Sequence, residues 1–395
     1  MMKQIKQKRS NPDVSLLFIF AFCLLLSLIF FLISTKSSPL YSFNDWVDTN
    51  ASFTMGKAIM NGKVLYRDIF DHRGPFLYLI YGLAYLISNT SFLGVFIFEV
   101  LSFSVFLFFC CKILSLYLDL NYALIALPLI TAAVVNLNSF EKGGSPEEFC
   151  IPLITISLFY ILNYFKTVYP KQMPFRWVFI NGMIAGCVLW IKFTFLGFWF
   201  GWMVSIVISM LITKNFLYVL KSSIFFMIGM ILATIPWIFY FGINHAVFEW
   251  INSYLILNLM GYAGDLFFFS ILKLTLVGML RHLLQNPIFI VFLFFGLIVF
   301  MIYKRFSINN FNRLGILLCF LFLALSVFGA GKNYIYYFLI FSPFIIFGFI
   351  VLLTIFYDKF GEIQSTRLMI FLISIFIMAT FSYTLKFHPN TTMLG

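Results

Sequence analysis

Residues 14–33 run without a single charged side chain, and apolar runs of similar length recur along the chain, separated by short polar breaks. A backbone in lipid has no water to satisfy its N–H and C=O groups, so such runs must close their hydrogen bonds internally as helices. The expected fold is all-α, a polytopic transmembrane helical bundle. Mean hydropathy is +1.01 and 56 of the 395 residues are Phe, which leaves too little polar surface to coat a water-soluble globule.

The net charge of +12 does not imply a nucleic-acid partner, because Lys and Arg are scattered over short loops and never form a contiguous basic arm. Topology accounts for them better. Lys3, Lys6, Lys8 and Arg9 precede the first run and are expected to hold the N-terminus in the cytoplasm, with residues 14–33 an uncleaved anchor. The six cysteines lie in or beside apolar runs, without zinc or disulfide spacing, and read as small packing residues.

Further spans are expected at 92–111, 122–137, 149–165, 177–191, 193–213, 222–241, 287–303, 314–330, 334–357 and 368–385, about eleven in all. The apolar segment 76–87 is shorter than the roughly 17 residues a span needs, so it is expected to be interfacial or re-entrant. Leaving it out of the count puts Lys166, Lys171 and Arg176 in the cytoplasm, where basic loops belong. The external loops that result include those at about 35–91, 138–148 and 242–286. With no internal repeat or linker evident, residues 1–395 are expected to form one domain.

The first external loop contains SFNDWVDTNASFTMGKAIMNGKVLYRDIFDHRGP, residues 42–75, and its charge is dense for a chain only 10% charged overall. Val47, Ala51, Met55 and Ala58 recur at helical steps and Asn61-Gly62 is a fitting stop, so a short amphipathic helix on the membrane surface is expected. Pro75 suits the first turn of the next helix. Asp48 is either the cap of the amphipathic helix or a base that takes a proton from an acceptor hydroxyl. Asp45, Asp68 and Asp71 are expected to pair with neighbouring Lys63, Arg67 and Arg73. Those cations and Lys192 are the groups that could neutralise a phosphate leaving group.

A second acidic cluster, EKGGSPEEF from Glu141 to Phe149, combines a glycine turn with Ser145-Pro146-Glu147-Glu148, which is also a helix start. Lys192, between two apolar runs, either snorkels to the interface or meets an anion. Glu99, inside a span, calls for an interhelical hydrogen bond. Residues 331–338, GKNYIYYF, bring Asn333, Tyr334, Tyr336 and Tyr337 to the outer interface, where an aromatic belt alone would explain the tyrosines. The two half-apolar stretches at 248–260 and 266–284 are expected to be surface helices covering this face, which also gathers most acids, Asp265 included, and all four histidines.

The run from Trp46 to Leu83 resembles the first external loop of the multispanning GT-C glycosyltransferases, in the bacterial branch of the protein O-mannosyltransferases and aminoarabinose transferases. GGSPEEF resembles their second acidic motif, and NYIYYF their late aromatic motif. The resemblance covers the first two hundred residues best. It implies inverting transfer of a sugar from a polyprenyl-phosphate donor to a cell-envelope acceptor, a polymer, lipid or protein, on the outer face of a bacterial plasma membrane. Asp48 would fall on the position of the family's catalytic Asp, with Glu147 or Glu148 on its second acidic position. Lys63, Arg67, Asp68, His72, Arg73, Lys192, Asn333, Tyr336 and Tyr337 would bind substrate. Arg73 stands where the family has Lys, which keeps the charge and changes its geometry. No metal and no other cofactor is implied. A teichoic-acid-like polymer is the expected acceptor. The rival class is a transporter or lipid-linked sugar flippase, which would show inverted repeats and polar groups near mid-membrane.

Overall fold

The computed structural model describes residues 15–140, 142–261, 268–306 and 310–393. Lys3, Lys6, Lys8, Arg9, Glu141 and Asp265 therefore lie outside the described residues. Among the described residues every regular element is helical, apart from an isolated bridge between Leu65 and Ile69. The chain opens with α1 (Leu16–Ser34), α2 (Val47–Met60), α3 (Pro75–Ile87), α4 (Leu93–Leu114) and α5 (Leu120–Val135). Next come α6 (Pro146–Asn163), α7 (Phe175–Lys192), α8 (Gly197–Ile212) and α9 (Phe216–Ile243). A short α10 (Val247–Trp250) continues as a π-helical run to Gly261, followed by α11 (Phe268–Gln285). The last third holds α12 (Pro287–Ile290), α13 (Gly296–Ile302), α14 (Asn310–Phe328), α15 (Ile346–Phe360) and α16 (Thr366–Phe387).

Eight helical stretches among the described residues are long and apolar enough to cross a membrane, and the protein is a multi-pass membrane protein. They are α1, α4, α6 extended to Val168, α7 joined to α8, α9, α14, Ile335–Phe360 and α16. Pro75–Ile87, Leu120–Val135 and Val291–Ile302 are apolar but shorter. All eleven expected spans fall on helix. Two of them, 177–191 and 193–213, share Phe175–Ile212, which is interrupted by the 3-10 turn Phe193–Leu196. At that joint Lys192 is extended (φ −158°, ψ 100°), so it ends one helix and carries its side chain toward the loops.

Aromatic rings fill the core where α1, α4, α6, α8 and α15 meet. Phe31 packs on Phe103 at 4.8 Å and on Phe140 at 5.0 Å. The indole N–H groups of Trp199 and Trp202, both buried, donate to the Ser157 hydroxyl and carbonyl at 3.0 and 3.1 Å, which ties α8 to α6 without an orphaned donor. Part of the phenylalanine excess thus serves packing within the bundle, while others, such as Phe216, Phe239 and Phe360, face outward.

α3 starts where its sequence says, with Gly74 as cap and Pro75 in the first turn. α2 forms as expected, but its buried face is Thr49, Ser52, Met55 and Gly56, and Val47 is 76% exposed. Of the expected apolar stripe only Met55 is fully buried. The helix turns polar side chains inward because Thr49 donates to the Gly143 carbonyl at 3.0 Å, across 94 residues of sequence. In the segment 242–286, α11 is more than a surface cover, since Met279, His282 and Leu283 are buried and His282 stacks between Phe328 and Phe338.

Candidate functional site

Two consecutive glycines set the acidic motif in place. Gly143 and Gly144 both take positive φ, +79° and +80°, a conformation that costs a residue with a Cβ roughly 1–2 kcal/mol. The turn they make delivers Ser145 as the cap of α6 with Pro146 in the first turn. Ser145 Oγ accepts the Glu148 N–H at 3.3 Å and Glu148 Oε1 accepts the Ser145 N–H at 3.0 Å, a reciprocal capping box. Glu148 is thereby committed to the helix start. Glu147 points elsewhere: it is fully buried, its Oε1 accepts from Lys192 Nζ at 2.6 Å, and its Oε2 has no partner among the described residues.

Lys192 does not snorkel. Its ammonium lies between the Glu147 carboxylate and the faces of three rings, Tyr337 at 3.7 Å, Phe195 at 5.1 Å and Tyr336 at 5.3 Å. The side chain is 18% exposed, so the cage is open on one side. Beyond Tyr336 the aromatic surface continues to Trp46 at 5.1 Å and Tyr334 at 5.6 Å.

Asp48 is not a cap. Trp46 holds the cap position of α2 without a side-chain bond, and Asp48 sits in the first turn with Oδ1 2.7 Å from an Arg73 nitrogen. Arg73 is clamped from the other side by Asp71 at 2.9 Å, and Asp71 also accepts the His72 N–H at 2.7 Å and lies 3.1 Å from His72 Nδ1. The backbone of Arg73 is fixed as well, donating to Tyr78 Oη at 3.0 Å and accepting from Tyr66 Oη at 2.6 Å. Burial alone would raise the Asp71 carboxyl, but the His72 side chain, Arg73 and the His72 amide together hold it well below the usual carboxylate range. Burial works against the charge on Arg73, yet the carboxylates of Asp71 and Asp48 push its pKa further up.

Gly74 brings this loop to the end of α7. Its N–H donates to the Ile191 carbonyl at 3.3 Å, and a Cβ there would sit 2.1 Å from the Trp190 carbonyl oxygen. Only glycine permits that approach, which puts Arg73 beside the residue before Lys192. Thr49 on Gly143 and the Tyr81 hydroxyl on the Gly144 carbonyl at 2.5 Å lock the two acidic motifs together. Asp48, Arg73, Glu147, Lys192, Tyr336 and Tyr337 thus meet at one end of the bundle, with Asp71 and His72 behind Arg73.

Other candidates lie apart. Arg67 pairs with adjacent Asp68 at 2.9 Å and donates to the Asn244 carbonyl at 2.6 Å, and Asp68 also accepts the Val64 N–H at 2.8 Å. The Arg67 hydrogen bond and the Val64 amide draw the exposed Asp68 carboxyl down to about 2. Lys63 is exposed in the same turn. These residues tie the loop to the end of α9. Asn333 faces Gly278 of α11, with its side-chain oxygen buried and without a partner among the described residues. Glu99 makes the expected interhelical bonds, accepting from Thr35 at 3.0 Å and Ser37 at 3.3 Å. Sequence reasoning passed over Trp46 and gave Asp71 only a loop pairing. A Trp two residues before Asp48 and an Asp next to His72 were the available signals.

No family profile and no curated protein matches the sequence. The fold is similar to a solved structure, described as archaeal oligosaccharyltransferase AglB from Archaeoglobus fulgidus in complex with an inhibitory peptide and a dolichol-phosphate. The two share 12% identity at a TM-score of 0.50, over 96% of this chain and 55% of that one. The chain therefore spans about half the length of that protein, and the likeness shows a shared all-α, multispanning fold.

Proposed function

We propose that this protein is an inverting glycosyltransferase that moves a sugar from a polyprenyl-phosphate donor to a cell-envelope acceptor on the outer face of a bacterial plasma membrane. The whole chain acts as one domain, with the N-terminus cytoplasmic. The observation that carries this reading is the meeting of the Asp48–Arg73 pair with the Glu147–Lys192 pair at one end of the bundle.

Asp48 has the geometry of a base. One oxygen is held by Arg73 and Oδ2 carries no partner among the described residues, so it is free to accept a proton from an attacking hydroxyl. The hydroxyl oxygen forms a bond to the anomeric carbon as the bond to the donor phosphate breaks, and the proton goes to Asp48. The leaving phosphate keeps the electron pair and needs cations, not a proton. Arg73 offers a fork suited to two phosphate oxygens and Lys192 a point charge, while Asp71 and Glu147 hold them in place. At rest Arg73 pairs with Asp48, and donor phosphate competes for it, so donor binding frees the base.

Glu148 is assigned to the α6 cap, and Lys63, Arg67, Asp68 and Asn333 to shaping the loops around the site. Mass spectrometry of envelope polymers and prenyl-linked sugars, with and without the protein, tests the proposal. Accumulation of one lipid-linked sugar when the protein is missing is the expected result. An unchanged lipid-linked pool would overturn it, and a pool trapped on the cytoplasmic leaflet would point to the flippase class instead.

A further inference from the structure

The open side of the lysine cage leads onto a run of aromatic surface that the proton and phosphate chemistry does not use. Tyr336 and Tyr337 cross at 5.2 Å, and Tyr334 stacks on Tyr336 at 5.6 Å with only 15° between the planes. Trp46 meets Tyr336 edge-on at 5.1 Å, and Tyr334 turns 47% of its surface outward. The run begins at the Lys192 ammonium and ends on the surface beside the first turn of α2, which carries Asp48.

A membrane belt would put these rings against lipid. The adjoining residues give them a charged rim as well. Asp45, next to Trp46, is 43% exposed, accepts from Lys36 at 2.7 Å and lies 3.9 Å from Lys142, itself 32% exposed. The hydrogen bond from Lys36 comes first among the causes that hold the Asp45 carboxyl below its ordinary value. A charged rim beside flat aromatic faces is chemistry suited to a sugar: the apolar C–H face of a pyranose lies on a ring, and its hydroxyls reach carboxylate and ammonium groups at the edge.

We propose that Trp46, Tyr334 and Tyr336 form the acceptor subsite, a stacking platform for a pyranose ring, so that the acceptor is a saccharide and not a peptide. The assignment rests on the glycosyl-transfer reading for the word acceptor. A ring lying on the open face of Tyr334 has Tyr336 stacked behind that face and Trp46 standing steeply to it, a floor and a wall.

Saturation-transfer NMR on the purified full chain in detergent, without donor, tests the platform separately from transfer. The probes are a methyl hexopyranoside, glycerol and a short neutral peptide. Saturation of protein aromatic protons is expected to reach the ring C–H protons of the glycoside only. Trp46→Ala and Tyr334→Ala should each weaken glycoside binding about tenfold, and Tyr334→Phe should retain it. Transfer to the peptide in place of the glycoside would overturn the proposal, as would a glycoside signal that survives both alanine variants or is missing from the parent protein. Glycoside binding by a protein that fails to transfer sugar would instead remove the catalytic reading and leave the platform.

Discussion

Residues 42–75 contain two arginine–aspartate groupings of different standing. Around Arg73, Asp48 and Asp71 close in from two sides with side chains 28% and 14% exposed, and the guanidinium is 16% exposed. Around Arg67, the partner is the neighbouring Asp68, which at 28% is as exposed as Asp48, while the guanidinium itself is 41% exposed against 16% for Arg73. Burial separates them. An ion pair in water contributes little, whereas breaking one taken out of water leaves an uncompensated charge that costs about 3–5 kcal/mol. Among the described residues, Arg73 lies near enough to Glu147, Lys192 and Tyr336 for its charge to act on them. The Arg67 grouping fastens a turn.

That contrast is breakable by substitution. Arg73→Ala should have the largest effect, loss of donor turnover together with roughly 3 kcal/mol of stability, since Asp71 is left buried without its cation. Arg73→Lys restores charge without the fork and should recover folding but only part of donor affinity, read as a raised KM for donor. Next comes the pair of adjacent glutamates. Glu147→Gln strips Lys192 of its counter-charge and should reduce turnover strongly, while Glu148→Gln preserves the capping box and should fall within about 1 kcal/mol of the parent in unfolding experiments.

Acid should also tell the groupings apart. Asp71 titrates below its ordinary range in the folded protein, so its contribution to stability is complete above the unfolded value of about 4 and is lost as pH falls below that. Thermal unfolding scanned below pH 4 should show a shallower pH slope for Asp71→Asn than for the parent protein. The smallest effect belongs to Arg67→Ala, which should leave donor turnover within about twofold. A loss there equal to that of Arg73→Ala would erase the distinction between the two groupings.

What the sequence made legible was mostly local. The spans, the Gly74-Pro75 start of α3 and the cap at Ser145 follow from neighbours a few residues apart. Glu148 as the capping partner was legible too, because Ser-x-x-Glu is the capping-box spacing. The orientation of α2 was not. Its inward face looks polar in sequence, and Thr49 is buried only because Gly143 approaches from far along the chain. The clamp on Arg73 likewise joins Asp48 to a residue a full helix and turn away, and no periodicity encodes that meeting. Trp46 escaped notice for the same reason, since its partner Tyr336 arrives from near the end of the chain.

Sugar transfer by Asp48→Asn in proteoliposomes loaded with a polyprenyl-phosphate-linked sugar tests the central assignment most directly. Asparagine keeps a hydrogen bond to Arg73 and cannot take the proton, so a correctly folded variant should still bind donor and lose about 10²–10⁴-fold in turnover. Turnover equal to the parent protein would take Asp48 out of the mechanism and leave the joined ion pairs as scaffolding.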